Sequence, residues 1–274
     1  MNLLRRLFDF YLDASVHVAL AVFSLLCISA ILFDLELGDH LSCFVFFGTI
    51  VCYNFIKYGV EAKKYILVSN RYHKIIQVFS FICFIIVCYH GYFLSVDTWL
   101  ILFLLLGLTG FYALPVLPQA KNLRSLGGLK IILVALVWSG VSVVLPFTEI
   151  GKTLVWDDWV EVVQRTVMVL VLLIPFEIRD LAFDKPELKT IPQRIGVKKT
   201  KIFGGLLVLV FFFSTFMKDV ISDLELASKG ILFLVLGAVI FVTQPNQAKY
   251  FASFWVEAIP IFWWILIYWI SFYL

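Results

Sequence analysis

Apolar runs of membrane-spanning length recur along almost the whole of this chain and leave it few ways to fold. A helix that crosses a bilayer needs about 20 mainly apolar residues, with a range of about 17–25. Six runs meet that requirement easily: Ala14–Phe33, Leu41–Lys57, Ile75–Leu94, Thr98–Leu117, Leu129–Phe147 and Phe254–Leu274. Three are weaker. Val160–Phe176 opens with Glu161, Gln164 and Arg165, while Ile202–Met217 and Gly230–Thr243 are short. Of the 274 residues, 62% are apolar or aromatic and 15% are charged, too little polar surface to cover one compact body in water. A cytosolic enzyme, a secreted domain and a disordered protein are excluded. Arg5 and Arg6 precede the first run as they would in a signal peptide. That run is a full span, however, and no small-x-small cleavage site follows it, so a retained helix is expected.

Charge decides the number of spans. With nine, one side of the membrane receives the N-terminus and the loops after spans 2, 4, 6 and 8, and with them 18 of the 22 Lys and Arg residues. Only Lys152, Arg165, Lys218 and Lys229 fall on the other side. Acids run the opposite way, so the two sides carry +10 and −7. Basic loops stay cytoplasmic, and dropping any weak span would scramble the partition. The expectation is an all-α membrane protein, a single domain over 1–274 built as a bundle of nine transmembrane helices. Its N-terminus is cytoplasmic and its C-terminus outside, in a bacterial cytoplasmic membrane with the site facing the cytoplasm.

Several chemistries lack support. Cys27, Cys43, Cys52, Cys83 and Cys88 all lie in apolar runs, where a cysteine behaves as a small buried hydrophobe, and no metal-ligand spacing joins them. No His pairs with a Ser or Cys as in a nucleophilic triad, and no GxxxxGK[ST], GxGxxG or HExxH occurs. The net charge of +3 is too small to imply a nucleic-acid partner. The Trp residues of the last run, Trp255, Trp263, Trp264 and Trp269, read as lipid-facing or interfacial.

The polar chemistry concentrates in Ile174-Pro-Phe-Glu-Ile-Arg-Asp-Leu-Ala-Phe-Asp184. Glu177, Asp180 and Asp184 fall within about 60° on one face of a helix. Like charges held together repel, and a bound Mg²⁺, which takes one or two carboxylates plus substrate phosphates, is the simplest reason to keep them. Seven bases share the loop, among them Lys189 and Arg194. Acids for a metal beside bases for anionic oxygens suit a diphosphate. The alternative is a solvated acidic face beside ordinary cytoplasmic lysines. A second cluster ends span 2, where Asn54, Lys57, Tyr58 and Glu61 fall within about 100° on one helical face; an interfacial anchor explains them equally well. A third basic group, Lys121, Arg124 and Lys130, follows Tyr112-Ala-Leu-Pro-Val-Leu-Pro118, whose prolines end span 4. All three groups sit at one membrane face, and no charge is expected to continue through the core.

These residues resemble the UbiA-type superfamily of intramembrane prenyltransferases over nearly the whole chain. The family pattern D-I-x-D-x-x-x-D, then K-T-x-P and a Gly, is matched by Glu177-Ile-Arg-Asp180-Leu-Ala-Phe-Asp184, Lys189-Thr-Ile-Pro192 and Gly196, with the first Asp changed to Glu. Tyr112-Ala-Leu-Pro looks like the family's Tyr-Ser-x-Pro turn. The first motif, N-D-x-x-D-x-x-x-D, departs: Asn54 survives, but Phe55, Tyr58 and Ala62 stand where aspartates belong, and Glu61 sits one residue from the last position.

The resemblance implies Mg²⁺-dependent transfer of an isoprenyl group from an isoprenyl diphosphate to a small lipophilic acceptor, an aromatic ring or a hydroxyl, within membrane lipid. Asp180 and Asp184 would be catalytic and hold the metal with Glu177 and Glu61. Lys121, Lys130, Lys189 and Arg194 would bind diphosphate, and Asn54 would orient the headgroup. The degenerate first motif motivates an alternative, an inactive descendant that binds a prenyl lipid or a partner. A transporter is disfavoured by charges confined to one face. A CDP-alcohol phosphotransferase needs DG and AR elements that the chain lacks.

Overall fold

Helices carry the chain, as they must where no water is available to satisfy backbone N–H and C=O groups. The computed structural model describes residues 3–60, 71–113, 128–184 and 186–273, and no strand occurs among them. Helix α1 (Leu3–Asp13) is short and amphipathic, with Leu3, Leu4 and Leu7 exposed. Next come α2 (Val16–Phe33), α3 (Asp39–Asn54, continued by a π turn over Phe55–Val60), α4 (Arg71–Gly91) and α5 (Val96–Ala113). A second rod joins α6 (Leu129–Ser139) through the π turn Gly140–Val144 to α7 (Leu145–Glu149). It is followed by α8 (Trp156–Asp180), α9 (Ile191–Phe213), α10 (Asp223–Val242) and α11 (Ile259–Tyr273), the last preceded by the π turn Phe251–Val256. Among the described residues, eight helical segments are long and apolar enough to cross a membrane, and the apolar part of α5, Val96–Gly110, is shorter. The protein is a multi-pass membrane protein.

The three weak runs prove to be full-length helices, Trp156–Asp180, Ile191–Met217 and Asp223–Val242. Polar side chains that pair with one another inside the bundle depress the hydropathy of α8 and α10, whereas α9 begins with the exposed bases Arg194, Lys198 and Lys199. Glu161, Gln164 and Arg165 of α8 are completely buried, as is Lys229 of α10. Lys229 Nζ donates to Glu161 Oε2 at 2.7 Å, Gln164 Oε1 at 2.6 Å and Glu225 Oε1 at 2.6 Å. Lys218 Nζ reaches Glu161 Oε2 at 3.1 Å and also Glu225. Burial alone would lower the Lys218 ammonium, but Glu161 and Glu225 hold it above its ordinary value. Arg165 donates to the Leu25 carbonyl at 2.8 Å, to Ser29 at 3.3 Å and to Glu161 at 3.0 Å, and its guanidinium lies 5.1 Å from the Trp263 ring centroid.

This network corrects two expectations. Charge does enter the core, about 14 Å along α8 from its start, because Glu161 and Glu225 are each met there by cations from among Arg165, Lys218 and Lys229. Trp263 is fully buried against Arg165 rather than facing lipid, whereas Trp255 and Trp269 are exposed as read.

Helix α8 is buried on nearly every side, the mark of a central helix. Its Met168, Val171 and Ile174 pack in one core with Leu25 and Ile28 of α2, Phe211 of α9, Leu236 of α10 and Trp263 of α11. At Gly140 the neighbouring α5 comes so close that a Cβ would lie 2.7 Å from Leu105. At the other end of the bundle α1 straps the helix ends together. Asp13 accepts the Tyr58 hydroxyl on its carbonyl at 2.9 Å and the Tyr72 hydroxyl on its carboxylate at 3.0 Å. Asp9 accepts the Tyr250 hydroxyl at 2.9 Å. All five cysteines are free.

Candidate active site

The end of α8 opens into a cavity of about 200 Å³. Its walls are apolar, formed by Ile131, Val134 and Trp138 of α6 and by Val169, Leu172, Leu173 and Phe176 of α8. Its polar lining comes from Tyr53 at the end of α3, Lys130 at the start of α6, Glu177 and Asp180 in the last turn of α8, and Glu257 in the turn before α11. Trp138 Nε1 donates to the Tyr53 hydroxyl at 2.8 Å and fixes two of these walls to each other.

Glu177 is buried and receives Lys130 Nζ on Oε1 at 2.7 Å, while its Oε2 is buried without a partner among the described residues. Asp180 is held by its neighbour Arg179, whose Nε and Nη2 donate at 2.7 and 3.1 Å. Helix α8 ends at Asp180, so Asp184 is not on the same helical face as Glu177. It lies on the following turn, with its N–H bonded to the Asp180 carbonyl at 2.8 Å, and its Oδ2 is also buried without a partner. Two orphaned carboxylate oxygens suit a hard cation that draws its remaining ligands from phosphate. Among the described residues no three acidic, His or Cys side chains gather closely enough to hold one alone.

The remaining expected residues lie elsewhere. Lys189 and Arg194 are exposed, outside the cavity lining. Lys189 adopts a left-handed φ of 48° in the loop that ends where Gln193 accepts the Thr190 N–H at 3.0 Å. Gly196 has φ 79° and ψ 159°, a conformation that disfavours a Cβ, and it kinks α9 at the Gly of the second motif. Asn54 is buried away from the cavity, accepting from Ser15 at 2.8 Å and donating to the Ala14 carbonyl at 3.0 Å and Ser80 at 2.9 Å. It joins α2, α3 and α4. Lys57 and Tyr58 turn to Asp13 instead of the cavity, because the π turn after Asn54 rotates them off the face that a 3.6-residue period assumes. Glu61, Lys121 and Arg124 lie outside the described residues.

Tyr53, Trp138 and Glu257 are the lining residues with polar atoms that the motifs did not single out. For Glu257 a signal existed: it is an ionisable side chain inside the last apolar run, Phe254–Leu274, where such residues tend to face a cavity.

The sequence matches no protein-family model and no curated protein sequence. The architecture does match solved structures. A UbiA homologue from Aeropyrum pernix K1, in its apo state, superposes with a TM-score of 0.67 at 14% identity, covering 92% of this chain and 98% of that one. The chain has the UbiA fold. A digeranylgeranylglyceryl phosphate synthase matches with a TM-score of 0.56 at 14% identity over 96% of this chain and 97% of its own. A UbiA homologue from Archaeoglobus fulgidus gives 0.55 at 12% identity over 97% of each chain. UbiA likeness thus extends over almost the full length, while little sequence is shared.

Proposed function

We propose that this protein is an intramembrane prenyltransferase that moves an isoprenyl group from an isoprenyl diphosphate to a small lipophilic acceptor. The observation that carries this reading is the cavity at the end of α8, apolar along its walls and lined at one end by Lys130, Glu177 and Asp180. An isoprenyl diphosphate has the same division, a hydrocarbon tail and an anionic head. The UbiA fold supports the assignment. Nine spans, with α5 as one of them, an N-terminus in the cytoplasm and the C-terminus outside put the cavity at the cytoplasmic mouth. The placement of 18 of the 22 bases supports that orientation.

In this reading the walls of Ile131, Val134, Leu172 and Leu173 hold the tail and exclude water. Lys130 moves from Glu177 to the diphosphate oxygens, and Lys121, Lys189 and Arg194 supply further positive charge to the headgroup. Glu177, Asp180 and Asp184 would hold Mg²⁺, with Glu61 as a fourth acid, and Arg179 would release Asp180 to it. Bound there, Mg²⁺ supplies charge that stabilises the departing diphosphate. The C1–O bond breaks with its electron pair leaving on the diphosphate, and the acceptor forms its new bond to C1.

The test is binding of isoprenyl diphosphates of increasing length to the purified protein, with and without Mg²⁺. Mg²⁺-dependent binding that Asp180→Asn weakens by about tenfold or more, roughly 1.4 kcal/mol, is expected. A second reading, a non-catalytic prenyl-lipid binder, is favoured by the engagement of Tyr58 with Asp13 at a position where the family motif has an acid. Binding indifferent to both Mg²⁺ and Asp180 would select it.

A further inference from the structure

The cavity is lined by three carboxylates, and two have cations. Glu177 is paired with Lys130 at 2.7 Å and Asp180 with Arg179 at 2.7 Å. Glu257 makes no hydrogen bond or ion pair among the described residues, and it comes from a different element, the turn before α11. It does not join the other two in a group able to hold a metal.

The turn that carries Glu257 is well anchored. Its N–H bonds the Ala252 carbonyl at 3.2 Å, Val256 beside it is buried, and the Phe254 carbonyl accepts His17 Nε2 at 3.0 Å. A carbonyl can only accept, so in the neutral ring Nε2 carries the His17 proton and Nδ1 is the acceptor for the Tyr11 hydroxyl at 2.7 Å. Burial, and to a lesser degree Glu257, holds the Tyr11 phenol above its ordinary value. Its proton is nonetheless committed to His17. Glu257 therefore faces the cavity with its acceptor capacity unspent, beside a neutral Tyr11. A carboxyl group without a protein partner in an apolar-walled space is satisfied by a hydroxyl.

Resting on the prenyl-transfer reading above, we propose that Glu257 receives the hydroxyl of the acceptor and takes its proton, so that the acceptor is a neutral alcohol or phenol. The hydroxyl oxygen forms the bond to C1 of the allylic group as the C1–O bond to diphosphate breaks and its electron pair leaves with the diphosphate. The hydroxyl proton passes to the Glu257 carboxylate. No oxidant or reductant is required, and the product is an ether.

The purified protein is given tritiated farnesyl or geranylgeranyl diphosphate with Mg²⁺ and a total membrane lipid extract, either untreated or with its hydroxyls acetylated. Diphosphate binding is measured alongside. Label is expected in the untreated extract alone. Glu257→Gln is expected to bind the diphosphate within about twofold of the parent while transfer falls about 100-fold or more, in the range for loss of a general base. Glu257→Asp should recover part of it. Transfer into the acetylated extract overturns the proposal, as does Glu257→Gln retaining transfer within about threefold. Parallel loss of diphosphate binding in Glu257→Gln also overturns it, since Glu257 would then belong to the headgroup site. A parent protein that binds the diphosphate and labels nothing overturns the hydroxyl acceptor but leaves the diphosphate site standing. A parent that does not bind removes the transferase reading and this one with it.

Discussion

Lys130 and Glu177 illustrate how one contact serves both stability and the site. The pair closes at 2.7 Å with the carboxylate almost wholly buried and the ammonium about a quarter exposed. A buried ion pair gives little net stability over an apolar replacement, but removing one partner strands the other. Lys130→Met should therefore destabilise the protein by about 3 kcal/mol, and the double variant Lys130→Met with Glu177→Gln should regain most of that loss. Thermal unfolding in detergent, arranged as a double-mutant cycle, measures the difference. Equal stability of the two single variants and the parent would mean that the pair does not form. Asn54 makes the complementary point. Its position in the first motif suggests a headgroup contact, yet its amide already donates to Ala14 and Ser80 and accepts from Ser15.

Among the helices, α8 matters most because it joins two polar regions of opposite purpose. Its last turn lines the open cavity with Glu177 and Asp180, and its first half carries Glu161, Gln164 and Arg165 into a closed network. That network ties α8 to α2 through Leu25 and Ser29, to α9 through the Phe211 carbonyl, and to α10 through Glu225 and Lys229. Lys229→Met in α10 leaves Glu161 and Glu225 with one ammonium between them, that of Lys218. A loss of about 3–5 kcal/mol is expected, read as a fall in denaturation midpoint. A network that tolerated this change without loss would be wet rather than closed. Isoprenyl diphosphate binding at the opposite end of α8 should persist in whatever fraction stays folded.

The disposition of the bundle across the membrane can be tested at its two faces. Lys152 follows α7 and Lys199 lies in the first turns of α9, and both are exposed. In a background lacking the native cysteines, Lys152→Cys should react with an impermeant maleimide in intact cells, and Lys199→Cys only after permeabilisation. The reverse pattern would invert the proposed orientation and move the cavity to the outer face. Identical labelling of both would require an even number of crossings between them in place of the single crossing by α8.

Much of this was legible in the residues because a bilayer is an undemanding reader: it asks for length and apolarity, and it sorts loops by positive charge. Those terms are local and additive along the chain, so the helical class, the membrane setting and the UbiA-like motif after α8 could be read from order alone. Even the weak runs were placed by the charge balance, though their full extents were not. Convergence was not legible. Glu161, Lys218, Glu225 and Lys229 are separated by up to 68 positions along the chain, and only packing makes them one neutralised group instead of four interruptions. The π turn after Asn54 removed Lys57 and Tyr58 from the cavity, a displacement of one residue in the helical turn that no period reveals. Glu257 entered the cavity for the converse reason: it occupies the turn before α11, and three-dimensional proximity to α8 decides what surrounds it.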